Sequence, residues 1–181
     1  MSEPRSWLFV PADSEKTSAT ALDSAAAALI FDLEDSVAPA QKARARDILK
    51  GLPNRSGGPQ WWVRINPLRT DDHRQDLDII GIADVHGIVL PKAETGGDVI
   101  ELAHRTGSIP IHAIVTETAA SLFGLLSYRD PKSPLTAMSW GAEDLSAALG
   151  AASKYDEGGE LAFTYKLARS LCLAGAVAAG V

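Results

Sequence analysis

At 181 residues, 46% hydrophobic and 22% charged, the chain has the makeup of a globular domain with one hydrophobic core. A net charge of −6 argues against a nucleic-acid groove, which needs a basic face, and a single cysteine, Cys172, excludes an internal disulfide. No stretch reaches the ~18 uninterrupted apolar residues of a membrane span and the first residues hold no signal-peptide core, so a cytoplasmic protein without a membrane partner is expected.

Short apolar runs recur along the chain, each closed by turn or polar residues. Residues 7–11 form the first, and Ser14 then stands as N-cap of an alanine-rich helical segment that reaches residue 27. Residues 28–33 form the second, ending among Asp32, Glu34 and Asp35, with a helical segment at 41–50 after Pro39. Residues 54–59 read as a loop before the third run at 61–65, which ends in Asn66-Pro67. Helical spacing at 72–82 leads to the fourth run, 87–90, closed by Pro91-Lys92. A helix over 96–105 precedes the fifth run, 109–115, which runs out at Glu117. A helix over 118–128 precedes the sixth run, 137–140, closed by Gly141-Ala142-Glu143-Asp144, and the longest helical segment covers 160–179.

Runs this short and this apolar suit strands covered on both faces, and their alternation with helices is the signature of an α/β fold with a parallel sheet. A doubly wound sheet holds six strands without a deficit. Two features favour a TIM-type (β/α) barrel instead. Residues 11–14 carry no glycine-rich phosphate fingerprint, and polar chemistry is spread over the ends of at least four strands. A complete barrel has eight βα units. The expectation is therefore a single barrel domain over 1–181 that lacks its last two units and C-terminal segment, an incomplete view of a longer protein.

The chemistry gathers at strand ends, which form one rim in a parallel barrel. Asp32, Glu34, Asp35, Glu117, Glu143 and Asp144 all fall there. Carboxylates crowded on one rim repel unless a cation sits among them, and oxygen-only ligation suits Mg²⁺, which keeps waters and needs only one or two carboxylates. The competing reading, strongest for Asp35, Glu94 and Glu143 taken singly, is that these acids cap the following helices. Arg64 lies in an apolar strand, where burial demands a carboxylate partner. It reads as an ion pair with Glu34 or Asp32, as a clamp for a substrate carboxylate or carbonyl oxygen, or both. A Schiff-base role for Lys92 needs a depressed pKa, which nearby carboxylates oppose, so a structural or electrostatic role is preferred. His73, His86, His104 and His112 lack metal-ligand spacing, and Cys172 reads as a small buried hydrophobe. Walker, nucleophile-elbow and CxxC motifs are absent.

Taken together, the strand ends resemble the HpcH/HpaI aldolase and citrate lyase family, in particular its citrate lyase β-subunit branch. The resemblance rests on six segments in order: Arg5-Ser6-Trp7-Leu8-Phe9-Val10-Pro11-Ala12-Asp13; Phe31-Asp32-Leu33-Glu34-Asp35-Ser36-Val37-Ala38 with Lys42-Ala43-Arg44; Val63-Arg64-Ile65-Asn66; Val89-Leu90-Pro91-Lys92-Ala93-Glu94; Val115-Thr116-Glu117-Thr118-Ala119; and Trp140-Gly141-Ala142-Glu143-Asp144-Leu145. It implies a TIM-like barrel in trimers or multiples of them. It implies Mg²⁺ held by Glu117 and Asp144, and a 2-oxo acid such as oxaloacetate, pyruvate or glyoxylate gripped by Arg64, Glu117 and the backbone of Gly141 and Ala142. Asp32, Glu34 and Lys92 would support these groups. The implied reaction is reversible carbon–carbon cleavage of a 3-hydroxyacyl-CoA such as citryl-CoA or malyl-CoA. Alternatives are a class II aldolase acting on free hydroxy-oxo acids, and a non-catalytic subunit that binds Mg²⁺ and an oxo acid. Asp35, where the aldolase branch often has histidine, favours the CoA branch. Lys16, Lys42 and Arg44 are weighed as CoA contacts against the simpler reading of solvated surface charges.

Overall fold

A computed structural model describes residues 4–52, 57–81 and 83–181. Part of the loop expected over 54–59, and Ile82 at the end of the expected third helix, lie outside them. Among the described residues, six strands alternate with helices: β1 (Trp7–Pro11), α1 (Glu15–Ala21), β2 (Ala28–Asp32), α2 (Lys42–Gly51), β3 (Gln60–Arg64), α3 (Asp71–Ile80), β4 (Gly87–Leu90), α4 (Gly96–Thr106), β5 (Ile111–Ile114), α5 (Ala119–Gly124), β6 (Leu135–Ser139), α6 (Ala142–Ala148) and α7 (Phe163–Ala179). The chain divides into two compact units, Met1–Val89 and Leu90–Val181.

In the first unit, β1 pairs parallel with β2, and β2 with β3, placing Asp32 opposite both Pro11 and Arg64. β3 continues parallel onto β4, with Arg64 opposite Val89. Every residue of β2 is buried, as a strand covered on both faces requires. Trp62 packs edge-on against Trp7, with ring centroids 5.1 Å apart, and Trp61 against Phe31 at 5.6 Å. Gly87 lies where the Trp62 ring leaves no room for a side chain; a Cβ there would sit 2.2 Å from it. Ser14 caps α1 by accepting from the Thr17 N–H, as expected. The helix stops at Ala21, short of residue 27, because a turn carried by Asp23 and Ser24 redirects the chain into β2.

In the second unit, β5 and β6 pair parallel, with Ile114 opposite Ser139. Thr95 and Asp98 form a capping box at the start of α4, and Thr118 with Ser121 forms another at α5. The helix expected over 118–128 is α5 followed by a tighter 3-10 turn, Leu125–Tyr128. Close packing explains the change: Gly96 lies so near Ser127 that a Cβ there would meet its carbonyl oxygen at 2.3 Å. The short helix α6 opens directly after Gly141. Its seven residues bury only Leu145, which packs with Tyr165 and Ala168 beneath Trp140 and Leu122, so it has almost no apolar stripe to detect. No helix among the described residues is long and apolar enough to cross a membrane.

His112 on β5 is largely buried, and that burial pulls its pKa down to about 4. An unfolded histidine titrates near ~6.5, so between these values the unfolded chain binds the extra proton and stability falls as pH drops. We expect acidification from pH 6.5 to 4 to cost about 2 kcal/mol through this residue. Urea unfolding at both pH values checks it: His112→Leu should remove that part of the slope.

Candidate functional site

Two clusters of chemistry-bearing side chains emerge, one in each unit. In the first, the Arg64 guanidinium lies over the Phe9 ring, 4.9 Å from its centroid, and grips Asp32 with two bonds. Nε donates to Asp32 Oδ1 at 2.7 Å and Nη2 to Oδ2 at 2.6 Å, while Nη1 faces Glu34 Oε2 at 3.1 Å. The β2–β3 register dictates this, since it sets residue 32 beside residue 64. Asp32 also accepts from the Glu34 N–H at 2.9 Å, from the Ser36 N–H at 3.1 Å and from the Ser36 hydroxyl. Burial works against the Asp32 charge, but Arg64 and these donors outweigh it and hold the carboxyl below its ordinary range. Burial likewise works against the Arg64 cation, yet the bonds and charge of Asp32 and the charge of Glu34 hold its pKa above the usual arginine value. The ion pair that strand burial demands is therefore made with both acids. With three of its five N–H directions engaged, at most two remain for a ligand.

Beneath this pair lies a polar network the sequence did not reveal. Lys42 is buried, not a solvated surface charge: Nζ donates to the Leu33 carbonyl at 3.1 Å, to the Glu34 carbonyl at 3.3 Å and to Asn66 Oδ1. Asn66 Nδ2 in turn donates to the Leu33 carbonyl at 2.9 Å and to Asp76 Oδ2 at 2.8 Å. Asp76 Oδ1 accepts from Arg46 Nε at 2.7 Å, and Asp72 takes Arg46 Nη2 at 2.5 Å. Lys42 thus has no ammonium to spare for a CoA phosphate, while Lys16 and Arg44 are exposed. Once buried, the four charged or amide residues at positions 42, 46, 66 and 76 are dear to hold singly and must find one another, but their burial is set by tertiary packing.

In the second unit, Glu117 follows β5 and is buried. Its Oε2 accepts from the Lys92 N–H at 2.6 Å. Lys92 Nζ reaches Asp144 Oδ1 at 3.3 Å, so one residue touches both of the acids expected to hold a metal. Gly141 closes against Glu117; a Cβ at Gly141 would lie 2.6 Å from Glu117 Cγ and 2.9 Å from Oε1. The Gly141 N–H is donated to the Thr116 hydroxyl at 3.3 Å, and Ala142 is the first residue of α6, whose first turn also holds Glu143 and Asp144. Glu94 accepts from the Thr118 hydroxyl at 2.8 Å and leaves the capping of α4 to Asp98, which takes the Glu94 and Thr95 N–H groups. Glu143 is exposed and paired with Lys154. Cys172 is buried, its thiol pushed up to about 11 by that burial, in keeping with a packing role.

Among the described residues, no three His, Cys, Asp or Glu side chains come together in the manner of an all-protein metal cage. The donor set still fits Mg²⁺, which needs only one or two carboxylates and takes its other ligands from water and substrate. The glycine at 141 reserves, for the Glu117 carboxylate, space that any side chain there would fill.

Known proteins are similar to this chain in sequence and in fold. The chain is 38% identical over 174 residues to a citrate lyase subunit beta-like protein of Mycobacterium tuberculosis, covering 96% of this chain and 60% of that protein. It is 31% identical over 179 residues to a (3S)-malyl-CoA thioesterase of Cereibacter sphaeroides, covering 98% of this chain and 60% of the relative. A solved structure of a citrate lyase beta subunit complexed with oxaloacetate and magnesium, from M. tuberculosis, superposes with a TM-score of 0.85 at 37% identity, over 96% of this chain and 74% of that one. The chain thus spans about 60% of the length of the curated relatives it matches. Its six parallel strands alternating with helices match the TIM-barrel fold of those structures. With the family profile described as HpcH/HpaI aldolase/citrate lyase matching residues 5–181, the chain belongs to the HpcH/HpaI aldolase/citrate lyase family.

Proposed function

We propose that this chain carries the catalytic groups of a Mg²⁺-dependent carbon–carbon lyase. It would cleave or form a 3-hydroxyacyl-CoA, such as citryl-CoA or malyl-CoA, with acetyl-CoA and a 2-oxo acid (oxaloacetate, pyruvate or glyoxylate) as the other partners. The observation that carries the reading is the Lys92–Glu117–Asp144 cluster, closed by Gly141. Glu117 and Asp144 are the residues that would hold the metal. When bound, Mg²⁺ supplies electrophilic stabilisation of negative charge on the oxygen that becomes the oxo-acid carbonyl.

The protein groups have separable tasks. Glu117 is pre-set by the Lys92 N–H and by the wall of Gly141, so it needs little reordering to bind a cation. Arg64, held flat by Asp32 and Glu34, is a rigid fork whose remaining N–H groups suit a planar carboxylate or carbonyl oxygen. The N–H groups opening α6 at Ala142 suit a second carboxylate oxygen. A trimer or a multiple of it is the assembly that the resemblance suggests.

A second reading has a specific support, the likeness to a malyl-CoA thioesterase. Thioester hydrolysis would use the same groups but release free CoA and a hydroxy acid. The deciding experiment is a coupled assay of the full-length protein with citryl-, malyl- and citramalyl-CoA, with and without Mg²⁺. Appearance of acetyl-CoA and a 2-oxo acid only with Mg²⁺ supports the lyase. Free CoA without an oxo acid supports the thioesterase, and turnover of neither removes both.

Gly141 offers a local test. Gly141→Ala places a Cβ inside van der Waals contact of Glu117 and must push that carboxylate aside. We expect Mg²⁺ affinity to drop about tenfold or more with the fold retained, as read by titration calorimetry and circular dichroism.

A further inference from the structure

Lys92 is one of only two non-glycine residues among those described with a left-handed backbone, at φ 51°. That conformation is disfavoured for a side chain with a Cβ, and such outliers persist where the surroundings over-determine them. Here two contacts do so. The backbone N–H is turned onto Glu117 Oε2 at 2.6 Å, and the side chain carries its ammonium to Asp144 Oδ1 at 3.3 Å. A glycine would satisfy the backbone with less strain, so the turn by itself does not account for a lysine. What lysine adds is a positive charge against one of the two acids.

We propose that the Lys92 ammonium is a resident counter-cation that competes with the divalent ion for Asp144 and thereby sets the metal affinity of the site. This rests on Glu117 and Asp144 being the metal ligands. The two carboxylates stand close to a shared neighbour, and without a cation between them they repel. The ammonium keeps Asp144 in place in the metal-free protein, and an arriving divalent ion must displace it or tolerate a like charge beside it. Either route subtracts from binding. Lys92 is therefore a positioning residue with two separable parts: a backbone donor that pre-sets Glu117 and a side chain that weakens the ion's hold on Asp144.

Substitutions divide the two parts. Lys92→Met removes the charge and keeps the length; Lys92→Gly removes the side chain, keeps the N–H and suits the backbone; Lys92→Arg keeps the charge. Binding of Mn²⁺, as a spectroscopic stand-in for Mg²⁺, is followed by electron paramagnetic resonance alongside the melting temperature of each protein. We expect Lys92→Met and Lys92→Gly to bind Mn²⁺ roughly threefold to tenfold more tightly than wild type, since a unit charge near the ion is worth at least that much in a partly screened site. Lys92→Arg should bind within about twofold of wild type, and Lys92→Gly should melt no lower than wild type. Equal or weaker Mn²⁺ binding by both Lys92→Met and Lys92→Gly overturns the proposal while leaving the metal site standing. Wild-type protein that binds no Mn²⁺, or binds it equally well as Glu117→Gln, overturns the metal assignment itself and this inference with it. Should Lys92→Met fail to fold, Lys92→Gly alone decides.

Discussion

Glu117→Gln and Asp144→Asn are each expected to lower turnover by about 10³-fold or more while melting close to wild type. Both changes preserve shape and remove one negative charge. Glutamine at 117 still offers an amide oxygen to the Lys92 N–H, so the contact at 2.6 Å and the packing against Gly141 survive. Asparagine at 144 loses the ion pair with Lys92, whose partner is 28% exposed on its side chain and so contributes little to stability. On the proposed metal assignment, what both variants lose is the paired anionic character that a hard divalent cation requires, and with it the stabilisation of charge in the transition state. Steady-state assays across a Mg²⁺ series, with circular dichroism on the same samples, make the measurement. Full turnover in either variant would end the lyase reading.

Arg64 carries the second large effect, and here two variants separate fold from function. Arg64→Met leaves Asp32 and Glu34, with side chains only 1% and 2% exposed, buried without a counter-charge. Breaking a buried pair from one side costs about 3–5 kcal/mol, so this variant should be strongly destabilised at neutral pH. Acid should narrow the gap. In wild type the Asp32 pKa is held down by Arg64, so its stabilisation is present above the unfolded value of about 3.9 and lost as pH falls through the depressed folded value. Arg64→Lys keeps the charge but not the fork. One ammonium cannot reproduce two parallel bonds to Asp32, the contact to Glu34 and a planar ligand contact together. That variant should fold, lose about 1–3 kcal/mol by urea unfolding, and bind oxaloacetate at least tenfold more weakly by calorimetry. Wild-type oxaloacetate affinity in Arg64→Lys would confine Arg64 to holding β2 and β3 together.

The order of elements was legible because each strand is a short apolar run closed by a turn. The apolar runs at 7–11 and 87–90 coincide with β1 and β4 end to end. Helix ends were less legible, since they depend on packing: α1 stops early at the Asp23–Ser24 turn, and the helix expected at 118–128 tightens where Gly96 approaches Ser127. The site residues were legible as chemistry, since carboxylates and an arginine at the ends of apolar strands stand out against any core. Their partners were not. Arg64 was narrowed to Glu34 or Asp32, and the parallel register was needed to show it joined to both. Lys42 looked like a surface charge because helical periodicity does not reveal which neighbouring carbonyls a buried ammonium will meet.

Sequence by itself determined the α/β class, the family and the positions of the candidate site groups near strand ends, because these follow from local hydrophobic pattern and from short motifs in a constant order. Tertiary structure alone decided that Lys92 adopts a left-handed backbone and touches both Glu117 and Asp144, that Gly141 walls in Glu117, and that Lys42, Asn66, Asp76 and Arg46 form one network. The partners in these contacts lie 10 to 52 positions apart. A hydrogen bond between such partners is set by strand register and helix docking, and neither leaves a periodic trace in the chain.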